Sequence, residues 1–139
     1  DIAWSHRVLI RPQDRFLTTC DEYNSPFLMT IMPGVPEMTQ MFHPDWKDRC
    51  EDIARDPGFT VLVISPPDLV LSLASRLDER ATEDIREIAD MTTVEPDTVR
   101  RLGEETIERF VGGTDRLRKN LNKVVKILED YVPRNEPGW

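Results

Sequence analysis

Between Ile85 and Leu102 the sequence reads IREIADMTTVEPDTVRRL, with small or apolar residues at Ile88, Ala89, Val94, Val99 and Leu102. Side chains three and four positions apart share one face of a helix, so each half of this stretch predicts an amphipathic helix. The polar break before Glu95 predicts a tight turn. Pro96 then suits the first position of the second helix, where a backbone N–H has no intrahelical partner to lose. Two short helices therefore meet beyond the middle of the chain, with Ala89 permitting close approach, Val94 plugging the turn, and Val99 and Leu102 holding the second helix down.

What precedes this hairpin reads differently. His6–Ile10, Phe16–Cys20 and Phe27–Met32 are short runs bounded by turn residues, which predicts a small antiparallel sheet. A helix is predicted from Pro44 to Arg55, where Trp46, Cys50, Ile53 and Ala54 form one stripe and Asp45, Asp48 and Asp52 lie opposite. Phe59–Ile64 (FTVLVI) predicts a strand buried on both faces. Ser65-Pro66-Pro67 turns the chain into a further helix, Asp68 to Arg80, with Leu69, Val70, Leu73, Ala74 and Leu77 inward. Helices are expected from Thr82 or Glu83 to Met91, and from Pro96 to Val111. After the Gly112-Gly113 break a last helix is expected with Thr114 as its cap and Leu117, Leu121, Val124, Val125, Leu128, Tyr131 and Val132 as its stripe. Strands first and helices last give an α+β fold, a small mostly antiparallel N-terminal sheet with helices followed by a C-terminal bundle of three to four helices. The length suits a single domain over 1–139. The alternative is a division into an α/β region over 1–80 and a helical subdomain over 81–132, with 133–139 as a flexible tail.

The net charge of −8 opposes non-specific binding to nucleic acid or to an anionic membrane. It is unevenly spread. Asp68–Val99 holds nine acidic and three basic residues, whereas Arg100–Lys126 holds eight basic and four acidic. No apolar run nears the roughly 20 residues that span a bilayer, and no signal-peptide pattern opens the chain. Cys20 and Cys50 form no CxxC pair, so a reduced, cytoplasmic protein is expected. His6 and His43 lack a second ligand at metal-binding spacing, so no metal is expected. A His43–Cys50 nucleophile pair is disfavoured because Cys50 falls on an apolar stripe, where a thiol is unreactive. The strand-to-helix turn after Ile64 offers no phosphate cradle. It has no glycine, two prolines without N–H groups, and the Asp68 carboxylate. No catalytic residue and no cofactor is expected.

The segment IADMTTVEPDTVRRL resembles the helix-turn-helix of lac-repressor-type regulators, which carry an I-A-x-x-x-x-V-x-P-x-T-V-x-R pattern. That resemblance implies a recognition helix from Pro96, with Glu95, Asp97, Thr98, Arg100 and Arg101 at the base edges. Arg116, Arg118, Lys119 and Lys123 would join Thr98, Arg100 and Arg101 on nucleic acid if they fold onto the same side. Thr93 stands where that family has glycine, and Glu95 where it has a capping Ser or Thr. The same segment, followed by EETIERF and Gly112-Gly113, also resembles a helical repeat of flagellar rotor switch proteins, which act as scaffolds. The reading favoured is a non-enzymatic regulatory or adaptor module that binds a protein partner or a second copy of itself. Its contact surface would be the methionines Met29, Met32, Met38 and Met41 or the helix positions Leu117, Leu121, Val125 and Leu128. A DNA-binding regulator using residues 85–110 is the alternative, and an unrecognised enzyme is a third reading.

Overall fold

The computed structural model describes residues 2–3, 15–20, 25–32, 41–56 and 59–131, which fall into two units dividing between Thr39 and Gln40. In the first unit, β2 (Arg15–Cys20) pairs antiparallel with β3 (Ser25–Met32), with Arg15 opposite Thr30 and Cys20 opposite Ser25. β1 (Ile2–Ala3) runs parallel to the other edge of β3. The strand order is β1-β3-β2, the small sheet expected from the apolar runs at Phe16–Cys20 and Phe27–Met32. The expected strand His6–Ile10 and the tail 133–139 lie outside the described residues.

The second unit departs first from the sequence reading at the expected helix 44–55. Only one turn of 3-10 helix forms, Trp46–Arg49, and Cys50 is already extended (φ −70°, ψ 146°). The chain continues as β4 (Glu51–Asp56), antiparallel to β5 (Phe59–Val63). The physical reason lies in β5. Its β-branched and aromatic residues favour extended backbone, and an extended segment needs a partner for its N–H and C=O groups. Residues 51–56 supply that partner across a short connection, which outweighs their helical periodicity. The ladder register shifts between Asp52 and Ala54, and Ile53 is 56% exposed. β5 is likewise not buried on both faces, as Leu62 and Val63 are exposed.

Four helices follow. α1 spans Pro66–Leu73 and tightens into a 3-10 turn at Ala74–Arg76, so it stops short of the expected Arg80. Asp78 accounts for this. It is extended, and its Oδ1 accepts the Ala81 N–H at 2.8 Å, so a new helix, α2 (Glu79–Met91), starts three residues before the expected Thr82. α3 spans Pro96–Glu108 and ends before Phe110 and Val111, which are exposed. Gly112 takes φ +135°, a conformation that favours glycine, and breaks the chain as expected. α4 spans Asp115–Glu129. Thr114 precedes it, but its side chain makes no capping bond. Among the described residues no helix is long and apolar enough to cross a membrane.

The fold is α+β, and the core of this unit is the helical bundle. Val70 and Leu71 of α1, Ile85 of α2, Val99 and Leu102 of α3, and Leu121 and Val124 of α4 are buried together. Ala89 and Val94 pack against this core, so the central hairpin has the geometry its spacing predicts. α3 and α4 approach closely at Gly103. A Cβ there would stand 2.4 Å from Leu121 Cδ1 and 2.6 Å from Cδ2, inside van der Waals contact. Gly103 is therefore retained in a helix despite its low propensity. Gly103→Val is expected to lower unfolding free energy by about 2 kcal/mol through overpacking, read from urea denaturation, and Leu121→Ala in the same chain should recover part of the loss. Equal stability of Gly103→Val and the parent would show that the helices do not meet there.

Candidate functional site

Two polar ties connect the 41–50 segment to the bundle. The first is centred on Asp68 in the first turn of α1. Its side chain is fully buried, and Arg49 grips it with two hydrogen bonds, Nε to Oδ2 and Nη2 to Oδ1, both 2.7 Å. The Ser65 hydroxyl donates a third to Oδ2 at 2.5 Å. Ser65 is also the N-cap of α1 and accepts the Asp68 N–H at 3.4 Å. Hydrogen bonding to Asp68 holds the Arg49 guanidinium above its ordinary pKa. Removing one partner of such a pair leaves an uncompensated buried charge, which costs several kcal/mol.

The second tie joins His43 to α3. The imidazole is buried, its Nδ1 accepts the Asp45 N–H at 3.1 Å, and its Nε2 donates to Glu105 Oε2 at 2.8 Å. The backbone bond to Nδ1 fixes the proton on Nε2. Glu105 also accepts from Arg101 Nη1 at 3.0 Å. The His43 bond, then the Arg101 bond, hold the Glu105 carboxyl below its ordinary value of 4.5. Cys50 follows Arg49 directly, and burial pushes its thiol pKa up.

The residues singled out in the sequence divide into three groups. Leu117, Leu121, Val125 and Leu128 are buried in the bundle core, as is Met41. Met29 and Met32 lie on β3, and Met38 lies outside the described residues. Among the basic residues, Arg100 bonds Asp97 and, at 2.6 Å, Glu129 of α4, which raises its pKa. Arg101 bonds Glu105, and Thr98 is half-buried in the first turn of α3. Arg116, Arg118, Lys119 and Lys123 are exposed on α4 and form no ion pair among the described residues. Arg100 and Arg101 thus belong to surface ion pairs within the chain, whereas the exposed cations after Gly113 are in none among the described residues.

An open groove of about 750 Å³ runs between α2 and α4, a volume in the range of small-molecule sites. Arg86 of α2 and Lys123 and Lys126 of α4 line it. Leu77, Ile127 and Tyr131 form apolar surface within it, and Asp78, Glu79, Asp90 and Asp130 add carboxylates. The Tyr131 hydroxyl is the one buried side-chain polar atom left without a hydrogen-bond partner among the described residues. Arg86 and Lys126 were not singled out in the sequence, and Tyr131 was placed only on a core stripe. The available signal was spacing, because Lys126 continues the Lys119–Lys123 row by three residues. Nothing in the sequence pairs that row with Arg86.

Residues 10–134 match a family described as "nucleotidyltransferase of unknown function" (DUF6036). The chain belongs to this family. No curated protein and no solved structure matches it. The match overturns the likeness to lac-repressor-type and rotor switch proteins, which rested on eighteen residues, since it covers most of the chain. Two helices meeting through small and branched residues satisfy that short pattern in many bundles. Family membership also overturns the adaptor and DNA-binding-regulator readings, in favour of a nucleotidyltransferase-type function. The physical reason for the error is that those readings relied on a missing catalytic pattern and on net charge, and neither bears on a family whose chemistry is not written in a short motif here.

Nucleotidyl transfer implies magnesium held by carboxylates and substrate phosphates. Among the described residues no three His, Cys, Asp or Glu side chains are grouped to hold a metal. Asp68, the most buried carboxylate, has both oxygens occupied by Arg49 and Ser65. The described residues therefore offer no preformed cluster of three protein ligands for the ion.

Two outcomes follow for the ties. Arg49→Ala should destabilise the protein by about 3 kcal/mol, the low end for a broken buried pair because Arg49 is itself about one-third exposed. Arg49→Lys should lose less, since an ammonium replaces the bidentate grip with a single point charge. Urea midpoints for the two variants decide it, and an unchanged midpoint for Arg49→Ala would contradict the tie. For Glu105, a depressed folded-state pKa means stability that is present above about pH 4.5 and lost as pH falls through the folded value. Glu105→Gln should therefore be less stable than the parent at pH 6, with the gap closing on acidification. A gap that stays constant down to pH 3 would contradict the assigned cause.

Proposed function

We propose that this protein takes part in nucleotidyl transfer, and that the α2/α4 groove holds one of the substrates. In that reaction an acceptor hydroxyl oxygen attacks the α-phosphorus of a nucleoside triphosphate. An O–P bond forms to the acceptor, the bond from the α-phosphorus to the bridging oxygen breaks, pyrophosphate leaves with that oxygen, and the hydroxyl proton passes to solvent. Family membership over residues 10–134 carries the reading. The groove supports it with cations for phosphate, apolar surface for a base, and carboxylates able to accept hydrogen bonds from hydroxyl or amino groups. The role given to the described helices is binding and orientation, which can supply several kcal/mol of a barrier without a chemical group of their own.

The test is label transfer. The protein is incubated with magnesium, each α-³²P nucleoside triphosphate in turn, and RNA, DNA or protein acceptors. Transfer of label with release of pyrophosphate is expected. Lys123→Ala combined with Lys126→Ala should lower kcat/KM at least tenfold, mostly through KM. The absence of labelled product with every triphosphate and acceptor would overturn the proposal.

A further inference from the structure

α4 carries a second feature that the groove alone does not use. Arg116, Lys119, Lys123 and Lys126 recur at steps of three, four and three residues, and all four are exposed. At 3.6 residues per turn they lie within a strip about 80° wide, opposite the stripe of Leu117, Leu121, Val124 and Leu128 that packs the core. None of the four is in an ion pair among the described residues. With 1.5 Å of rise per residue the row is about 15 Å long. Its C-terminal half, Lys123 and Lys126, lines the groove together with Tyr131.

We infer that the substrate in the groove is the acceptor, that this acceptor is a single-stranded polynucleotide, and that its phosphodiester backbone lies along this row. The inference rests on the nucleotidyl-transfer reading. The distribution of charge favours a strand over a free triphosphate. A triphosphate concentrates its charge at one point, and in the groove that point faces Asp78, Glu79, Asp90 and Asp130 as well as the cations. A strand carries one charge per nucleotide, about 3.4 Å apart along a stacked axis, so about four phosphates match the row. Its terminal nucleoside, which carries little charge, can then enter the groove, where Tyr131 offers a stacking surface and the carboxylates accept from hydroxyl and amino groups. Single strands are held without sequence preference by a basic groove that tracks the backbone, together with aromatic side chains on which bases stack. Further acid lies on α2 at Glu83, Asp84 and Glu87, beside Asp78 and Glu79.

The experiment is fluorescence anisotropy with a labelled ten-nucleotide single-stranded RNA and the same sequence as DNA, over a range of salt. Each phosphate neutralised contributes about −0.7 to the slope of log K on log salt, so the parent should give about −2.8 and Arg116→Ala with Lys119→Ala about −1.4. Both substitutions are at exposed positions, and an unchanged thermal melt shows that the variant is folded. Binding of RNA, DNA or both with these slopes supports the inference and identifies the sugar. ATP displacing the oligonucleotide at equal phosphate concentration, with the double variant binding like the parent, would overturn it and leave nucleotidyl transfer standing. A ten-residue glutamate peptide binding as tightly as the oligonucleotide would also overturn it. Oligonucleotide binding without label transfer to any acceptor would instead overturn the reaction and keep the binding track.

Discussion

The second unit is organised around one buried carboxylate. Asp68 has no exposed side chain, and its two oxygens receive Arg49 and Ser65. Its position explains three features at once. It lies in the first turn of α1, where a negative charge is favoured by the helix dipole. It receives Arg49 at the end of the 3-10 turn Trp46–Arg49, immediately ahead of β4. It also anchors the hairpin to the bundle through a bidentate contact whose loss leaves an uncompensated charge. The His43–Glu105 bond repeats the tie on α3, so the segment ahead of the hairpin is fixed to two helices.

Ion pairing also decides where this acidic chain can receive an anion. Arg49, Arg100 and Arg101 are spent on Asp68, on Asp97 and Glu129, and on Glu105. Each is paired within the chain, although the Arg100 and Arg101 side chains remain 40% and 61% exposed at the surface. Arg116, Lys119, Lys123 and Lys126 sit exposed on the face of α4 that points away from the core and are in no ion pair among the described residues. Net charge describes the long-range field and solubility, while local recognition depends on how individual charges are placed.

Periodicity made the helical half legible. Val99, Leu102, Leu121 and Val124 are buried as their spacing requires, and the turn between α2 and α3 sits where Pro96 puts it. The stripe Trp46, Cys50, Ile53, Ala54 has the same period, yet the segment is a turn and a strand. Periodicity cannot report a long-range partner, and here the β5 ladder decided the outcome. The groove was illegible for a related reason. Arg86, Lys126 and Tyr131 are up to 45 residues apart, and only the packing of α2 on α4 brings them together. The function was not legible either, because the segment that drew attention is a packing motif and the family likeness is spread over residues 10–134.

The proposed division of labour between a structural polar centre and a substrate-binding helix face can be tested residue by residue. A ¹⁵N-resolved NMR titration of the protein with a single-stranded oligonucleotide is the direct measurement. The amides of Thr82, Arg86, Lys119, Lys123, Lys126 and Tyr131 should shift progressively to saturation, while those of His43, Arg49, Ser65 and Asp68 remain in place. Shifts confined to the Arg49–Asp68 region, with the α2/α4 groove unmoved, would contradict this assignment of roles.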